Sequence, residues 1–472
     1  MPIGVDEWVA QHGDRRDQGT GWRRAVSWLD DRVGWWPRLG AALLVGLIFG
    51  QLSLNVNIET VAVNSLIYAI LALGLNIAVG WAGLLDLGYV AFFGFGAYGY
   101  AIFSSHALGT GGVGGAPLPS IESFPIVLIA AGVLGALIGL MSLRVSGDYL
   151  AIVTLFVGQA FMELVNNVDT GTLGGVNGLY GLDPIHGFGG QITTPTGYYD
   201  FALIAAVVLM GLLHMLDGSR TGRAWRAVRE DELAAEAMTI PTGKLKVMAI
   251  SFGAVVGALA GAIFAAQQDN VFPTNFTPNI LILIYACLVL GGAGSIAGAV
   301  LGGIVVTVGE QMVSSPTDAG YLFYGLILVA LVVRVRPWRM LGAVLAGVAA
   351  LGFALHAIVG AISSSAVAGS PGSAGWIGSA VHDWVIVPST PAGYGNVLYI
   401  VLICMVFAVV RVQPRHRLLA LVPTLYVAAC CWESRLVVNP SITAQILVGA
   451  ILIAMMAARP QGLLGTMRVE VV

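Results

Sequence analysis

Long apolar runs fill this chain, separated by short breaks that are glycine-rich or charged. Segments near 39–54, 58–80, 83–103, 124–143, 147–167, 199–216, 247–267, 280–294, 296–313, 321–335, 340–360, 396–412, 418–431 and 441–457 are almost wholly apolar. A helix crossing the hydrocarbon core of a bilayer needs about 20 such residues, and shorter ones are tolerated inside a bundle. The pattern predicts an all-α fold, a polytopic integral membrane helix bundle of about 14 apolar segments. Segments 280–294 and 296–313 are short and interrupted by glycine, which leaves a re-entrant arrangement open. The break between the second and third segments falls at Gly80–Gly83.

Charge then orients the segments. Of the 22 Lys and Arg, 21 lie in the tails or in alternate breaks: Arg15 to Arg38, Arg144, Arg220 to Lys246, Arg334 to Arg339, Arg411 to Arg417, and Arg459 with Arg468. Arg435 is the exception, and the breaks near 104–123, 168–198, 268–279 and 361–395 hold no Lys or Arg. Positive charge marks the cytoplasmic side, so both termini are expected there. The opposite breaks are rich in Gly, Thr, Ser and Pro and read as compact outer caps, with 361–395 as a flexible linker.

Composition agrees and narrows the function. The chain is 57% hydrophobic with a mean hydropathy of +0.86, outside soluble usage. A net charge of −3 leaves no basic surface for nucleic acid. The four cysteines form no CxxC pair, so neither a disulfide framework nor a zinc site is indicated. GxxxxGKS, GxxxxGKT, HExxH and GxSxG are all absent. No nucleotide cradle is therefore expected in this chain, and no catalytic constellation. Residues 1–38 carry six Arg and six acids around Trp22, Trp28, Trp35 and Trp36. They read as an amphipathic segment at the interface, not as a cleavable leader.

The longest charged run is Asp217 to Lys246, DGSRTGRAWRAVREDELAAEAMTIPTGKLK, in a chain only 10% charged. Ser219 or Thr221 is placed to cap one short helix, and Asp231 a second through Ala234, Ala235 and Ala237. Pro241, Thr242 and Gly243 are expected to end it. The alanines let a helix backbone approach a partner closely, and the flanking charges fix its register. The plainer reading is a solvated loop that only orients the protein. Two ridges of glycine every four residues, Gly253–Gly257–Gly261 and Gly294–Gly298–Gly302, suit close helix packing, static or gating. Polar residues at membrane depth mark a cavity or a pathway, and Asn76, Asp86, Tyr89, Gln159 and Glu163 are the candidates. Gln159 and Glu163 are four apart and share a helix face.

Several of these stretches resemble one family. REDELAAEAMTI followed by MAISFGAVVGALAGAIFAA is similar to the coupling loop of permease subunits of branched-chain amino-acid ABC importers. LGLNIAVGWAGLLDLGYVAFFGFGAY, LRVSGDYLAIVTLFVGQAFMELVNN with TLGGVNG, and the closing AQILVGAILIAMMAARPQGLLG resemble the same family in the same order. Asp86 and Tyr89 stand where the family more often has Ser and His, Gln159 replaces a usual Glu, and Thr239 a usual Gly. Thr does not take positive φ easily, so the turn geometry at Thr239 is left open. The resemblance lapses between about 315 and 440. This divides the chain into an N-terminal segment 1–38, a permease core 39–314 with the loop 217–246, additional transmembrane segments 315–440, and a final helix and tail 441–472.

The resemblance implies a transport subunit, not an enzyme, in a bacterial inner membrane, importing leucine, isoleucine and valine by alternating access. It implies a second permease, two ABC ATPase subunits that bind ATP and Mg, and a periplasmic or lipid-tethered binding protein. Arg226, Arg229, Glu230, Asp231, Glu232, Ala234, Ala235, Glu236, Ala237 and Thr239 would form the ATPase-coupling loop. A urea or short-amide importer is the alternative within the family. An ion-coupled secondary transporter would need membrane carboxylates and two similar halves. The sequence offers only Asp86 and Glu163 as such carboxylates, and no internal symmetry.

Overall fold

Glycine and alanine decide how closely these helices meet. A computed structural model describes residues 34–52, 56–104, 120–143, 145, 148–168, 173–187, 190–334, 338–388, 391–411, 417–458 and 462–465. The interfacial reading of the N-terminal segment lies mostly outside the described residues, as do Arg144, Arg336, Arg415, Arg459 and Arg468. The fold is all-α. In chain order the helices are α1 (Trp35–Leu52), α2 (Val56–Leu75), α3 (Tyr89–Ser104), α4 (Ser120–Ser142), α5 (Asp148–Asn167) and α6 (Pro195–Gly218). Two short helices follow, α7 (Arg220–Glu230) and α8 (Glu232–Ala237), then α9 (Thr242–Gln268), α10 (Pro278–Gly291), α11 (Ile296–Ser314) and α12 (Pro316–Arg334). The rest are α13 (Trp338–Ile362), α14 (Gly375–His382), α15 (Pro391–Arg411), α16 (Arg417–Cys431) and α17 (Pro440–Ala458). Among the described residues, eight helical stretches are long and apolar enough to cross a membrane, and four shorter helices are apolar as well.

The chain forms two compact units, Met1–Leu281 with Ala293–Val300, and Ile282–Gly292 with Leu301–Val472. In the first, α9 is the central helix and packs on α3, α4 and α2. The ridge on α9 makes this possible. A Cβ on Gly261 would collide with the Phe93 carbonyl, and one on Gly96 of α3 with the Ala258 carbonyl. A Cβ on Gly135 of α4 would lie 2.6 Å from that of Ala254. Gly257 rests on Phe92 and Tyr89. The outward faces of α4 and α6 carry exposed Ile129, Val133, Leu137, Val208 and Leu212, as lipid-facing helices should.

Two local expectations change. The second segment ends in a π-helical turn, Asn76–Trp81, and α3 starts only at Tyr89, not near residue 83. Asp86 accepts the Gly88 N–H at 2.9 Å beside the first turn of α3, where the helix dipole favours an anion. In the stretch expected as a compact cap, β1 (Leu179–Tyr180) pairs with β4 (Asn270–Val271), and β2 (His186–Gly187) with β3 (Gly190–Gln191). The stretch 361–395 is not a featureless linker. It contains α14, and its Ser373 is tied to Glu433 in the second unit.

Glu433 is 1% exposed in a π-helical turn after α16, Trp432–Leu436. It accepts from the Tyr324 hydroxyl at 2.9 Å and from the Ser373 N–H and hydroxyl at 2.8 Å each. Trp432 stacks on Phe323 at 4.3 Å. Three donors on one buried carboxylate make it a structural clamp. The sequence reading named Asp86 and Glu163 as the only membrane carboxylates, and this was too few. Glu59 is buried at the start of α2 and accepts from Thr196 Oγ1 at 2.9 Å, and Glu310 is half-buried on α11. A carboxylate inside an apolar run looks alike in sequence whether it faces lipid, water or a donor.

Gly261→Ala is expected to lower stability by about 1–3 kcal/mol, because the new methyl meets a backbone carbonyl. Gly309→Ala, where a Cβ meets nothing within 4 Å, is expected to be neutral. Thermal unfolding of the two purified variants side by side checks the contrast.

Candidate functional site

The charged run folds as two capped helices between α6 and α9. The Ser219 side chain accepts the Gly222 N–H at 3.3 Å and caps α7. Asp231 accepts the Ala234 N–H at 3.0 Å and caps α8. Both caps were legible in the sequence. The stop was not: α8 ends at Ala237, and Thr239 turns the chain with φ +64°. Pro241 then precedes α9, whose first residue is Thr242, so Thr242 and Gly243 begin a helix instead of ending one. Thr239 thus holds the positive φ that its side chain disfavours, at a cost of about 1–2 kcal/mol.

α7 turns one face inward. Gly222, Trp225 and Val228 recur three apart and are buried, and Arg229 is half-buried beside them. Trp225 donates to the Leu245 carbonyl at 2.8 Å and stacks near Trp81 at 6.2 Å. Arg229 donates to the Gly80 carbonyl, at the end of the π-helical turn where that carbonyl has lost its helical partner. Gly83, with φ +72°, lets the Arg229 stem lie against the chain: a Cβ there would be 2.8 Å from Arg229 Cγ. The same turn reaches Gly294. Asn76 Oδ1 accepts the Gly294 N–H at 2.7 Å, and Trp81 Nε1 donates to the Gly294 carbonyl at 3.3 Å. Gly294 therefore sits in a turn before α11, with φ +94°, and not on a helical ridge with Gly298 and Gly302. Of those two, Gly298 donates its N–H to Ser295 Oγ at 3.1 Å, and Gly302 packs on the Cys287 carbonyl.

The charges are largely used within the chain. Arg226 pairs with Asp217 at 3.0 Å, Arg223 donates to the Gly218 carbonyl at 2.8 Å, and Lys246 pairs with Glu232. Glu236 accepts from Thr242 Oγ1 at 2.7 Å. Ala235 is 4% exposed and faces its own chain, whereas Ala234 and Ala237 are exposed with Glu230. What α8 presents outward includes two large apolar side chains that the sequence reading passed over, Leu233 at 78% exposure and Met238 at 75%. Their signal was there, as the two apolar residues flanking AAEA inside a charged run.

The pathway candidates fall into two groups. Asn76, Asp86 and Tyr89 are buried in the first unit. Asn76 Nδ2 and the Tyr89 hydroxyl have no hydrogen-bond partner among the described residues. The Tyr89 hydroxyl lies where a Cβ on Gly74 would be. Gln159 and Glu163 instead lie exposed on α5, in line with Tyr149, Ile152, Phe156 and Asn167. Asn167 donates to Glu163 Oε2 at 2.9 Å. Among the described residues no three His, Cys, Asp or Glu side chains come together as metal ligands.

Residues 57–333, from α2 through the capped loop to the end of α12, match the family model described as branched-chain amino acid transport system / permease component. The chain belongs to that family. This permease is 32% identical over 324 residues to the high-affinity branched-chain amino acid transport system permease protein LivM of Escherichia coli, covering 64% of this chain and 73% of the relative. It is 25% identical over 291 residues to BraD of Pseudomonas aeruginosa, a permease protein of the same description, covering 58% and 91%. It is 28% identical over 168 residues to the Escherichia coli permease protein LivH, covering 35% and 53%. No solved structure matches it. The permease is a multi-pass membrane protein whose relatives are transport subunits and not enzymes.

Thr239→Gly is expected to raise stability by about 0.5–1 kcal/mol, the relief of positive-φ strain less the added freedom of the unfolded chain. Thermal unfolding together with amide exchange at Met238 and Ile240 reads this out. An unchanged or lowered midpoint would mean that the turn is unstrained.

Proposed function

We propose that this permease is the membrane subunit of an ATP-driven importer of branched-chain amino acids, working by alternating access. The observation that carries the reading is the loop 217–246: α8 offers Leu233 and Met238 outward, while α7 anchors inward through Trp225 and Arg229 to the π-helical turn. An exposed apolar pair on a short rigid helix is what a groove on an ATPase would take up, with Ala234 and Ala237 allowing close approach. Arg229 then passes the motion of the loop to Gly80 and, through Asn76, to Gly294. The names of LivM, BraD and LivH support the cargo class, and the occurrence of LivM and LivH in one organism supports a second permease. ATP and Mg belong to the two ATPase subunits, and a binding protein delivers the cargo from the outer side. The termini and the loop face the cytoplasm, following the distribution of Lys and Arg. The α5 face with Gln159 and Glu163 lines the pathway where this permease meets the second one, since polar groups do not face lipid without cost.

Vesicles holding both permeases, the ATPases and the binding protein are expected to accumulate leucine or valine only with ATP. Accumulation of urea but not leucine would move the cargo and keep the mechanism. Accumulation without ATPases that collapses with the proton gradient would sink both.

Leu233→Asp is expected to weaken recovery of the ATPase subunits with the permease by about tenfold or more, as for loss of a buried interface anchor. Arg229→Ala is expected to keep assembly and lower uptake by about tenfold. Equal recovery and uptake in both variants would remove the loop from the mechanism.

A further inference from the structure

Water penalises exposed apolar side chains and lipid does not. An apolar patch held open on the aqueous end of a helix bundle therefore points to a protein contact. The end of the first unit opposite the loop 217–246 carries such a patch. α9 runs 27 residues from Thr242, beside the loop, to Gln268, a length of about 40 Å. β4 follows, and its pairing with β1 makes a small ribbon against α3 and α9. The inner residues of the ribbon, Leu179 and Val271, are buried. Around them Val176 is 74% exposed, Tyr180 62% and Phe272 37%. These three belong together: Phe272 lies against Gly178, which stands two residues from both Val176 and Tyr180. Gly178 admits the contact, since a Cβ there would be 2.6 Å from the Phe272 ring.

The patch is fixed in place. The Gly181 N–H donates to the Asp269 carbonyl at 3.2 Å, and Asp269 Oδ1 accepts the Leu182 N–H at 2.7 Å. Phe276, four residues after Phe272, is buried among the rings of Phe93, Tyr98, Phe161 and Phe264. The ribbon rests on α3 and the central α9, whereas the lipid-facing side chains are on α4 and α6. Charge then selects the partner. Stretches 168–198 and 268–279 hold no Lys or Arg, and exposed Asp269 adjoins Asn270, the residue paired with Tyr180.

We propose that Val176, Tyr180 and Phe272 form the docking surface for the soluble binding protein, which meets them with an apolar area ringed by Lys or Arg. The proposal rests on the importer reading and adds the place where that partner sits. The helical turn Gly175–Asn177 touches α5, so a protein seated here is beside the outer end of the face that carries Gln159 and Glu163.

The test uses the full permease assembly in lipid nanodiscs and, as probe, the purified binding protein of the uptake assay loaded with leucine. Val176→Ser combined with Tyr180→Ser is expected to weaken its binding by about tenfold, as for loss of interface anchors. Asp269→Asn keeps the acceptor for Leu182 and removes the charge; it is expected to weaken binding by about threefold at low salt and not at high salt. Recovery of the ATPase subunits is expected to be unchanged in both, which separates a docking defect from a folding defect. In whole cells, Tyr180→Cys in a chain with Cys404→Ser is expected to react with an impermeant maleimide and to be shielded by the binding protein. Unchanged binding in the double variant overturns the proposal. So does an unreactive position 180, which would place the patch in lipid, or an effect of Asp269→Asn that salt does not alter. Either result alongside normal ATP-dependent uptake removes this surface alone, whereas absence of such uptake in the unmodified assembly removes the importer reading.

Discussion

Backbone-close contact of α9 with α3 and α4 is the interaction on which the first unit depends. Inside a bilayer the tails of the lipids are as apolar as leucine, so helices gain little by hiding apolar surface from water. They gain by packing, and the packing is tightest where no Cβ intervenes. Gly261 against Phe93, Gly96 against Ala258 and Gly135 against Ala254 meet that condition on two neighbours of one helix. A helix held this closely moves with its neighbours. α9 begins at Thr242, directly after the capped loop, so the loop is joined in sequence to the helix that packs most closely in the unit.

A second contact joins the loop to the first unit through Arg229. A π-helical turn shifts hydrogen bonds from four to five residues and is often found at functional positions. Here the turn at Asn76–Trp81 closes with Ala82 N–H on the Ile77 carbonyl and Leu84 N–H on the Ala78 carbonyl, while Arg229 satisfies Gly80. A cation at a helix C-terminus also answers the helix dipole. Asn76 spends its oxygen on Gly294, leaving its buried amide nitrogen without a partner. The positive φ of Thr239 adds strain on the other side of the loop. Strain and unsatisfied polar groups thus gather around one element, where a change of conformation would relieve them.

The membrane carboxylates show how much context decides. Glu433 has three donors and fixes the region around Ser373. Asp86 caps a helix. Glu163 is exposed and shares its charge with Asn167. Glu310 is half-buried on α11. All four are single acidic letters near or within apolar runs.

Much of the architecture was legible along the chain. Apolar length marked most of the long helices, because the bilayer demands internal hydrogen bonding and about 20 residues per crossing. Ser219 and Asp231 announced their helices, because capping is local. The motifs around Asn76, Asp86 and the loop pointed to the family to which the chain belongs. The tertiary structure decided what depends on partners distant in sequence. It turned Ala235 inward and Leu233 and Met238 outward, moved Gly294 from a ridge to a turn, and placed Arg229 on a carbonyl 149 residues away. It also showed that Glu59 and Glu433 have donors on their carboxylates. Burial and hydrogen bonding are properties of the surroundings, and a sequence names a side chain without naming what it meets.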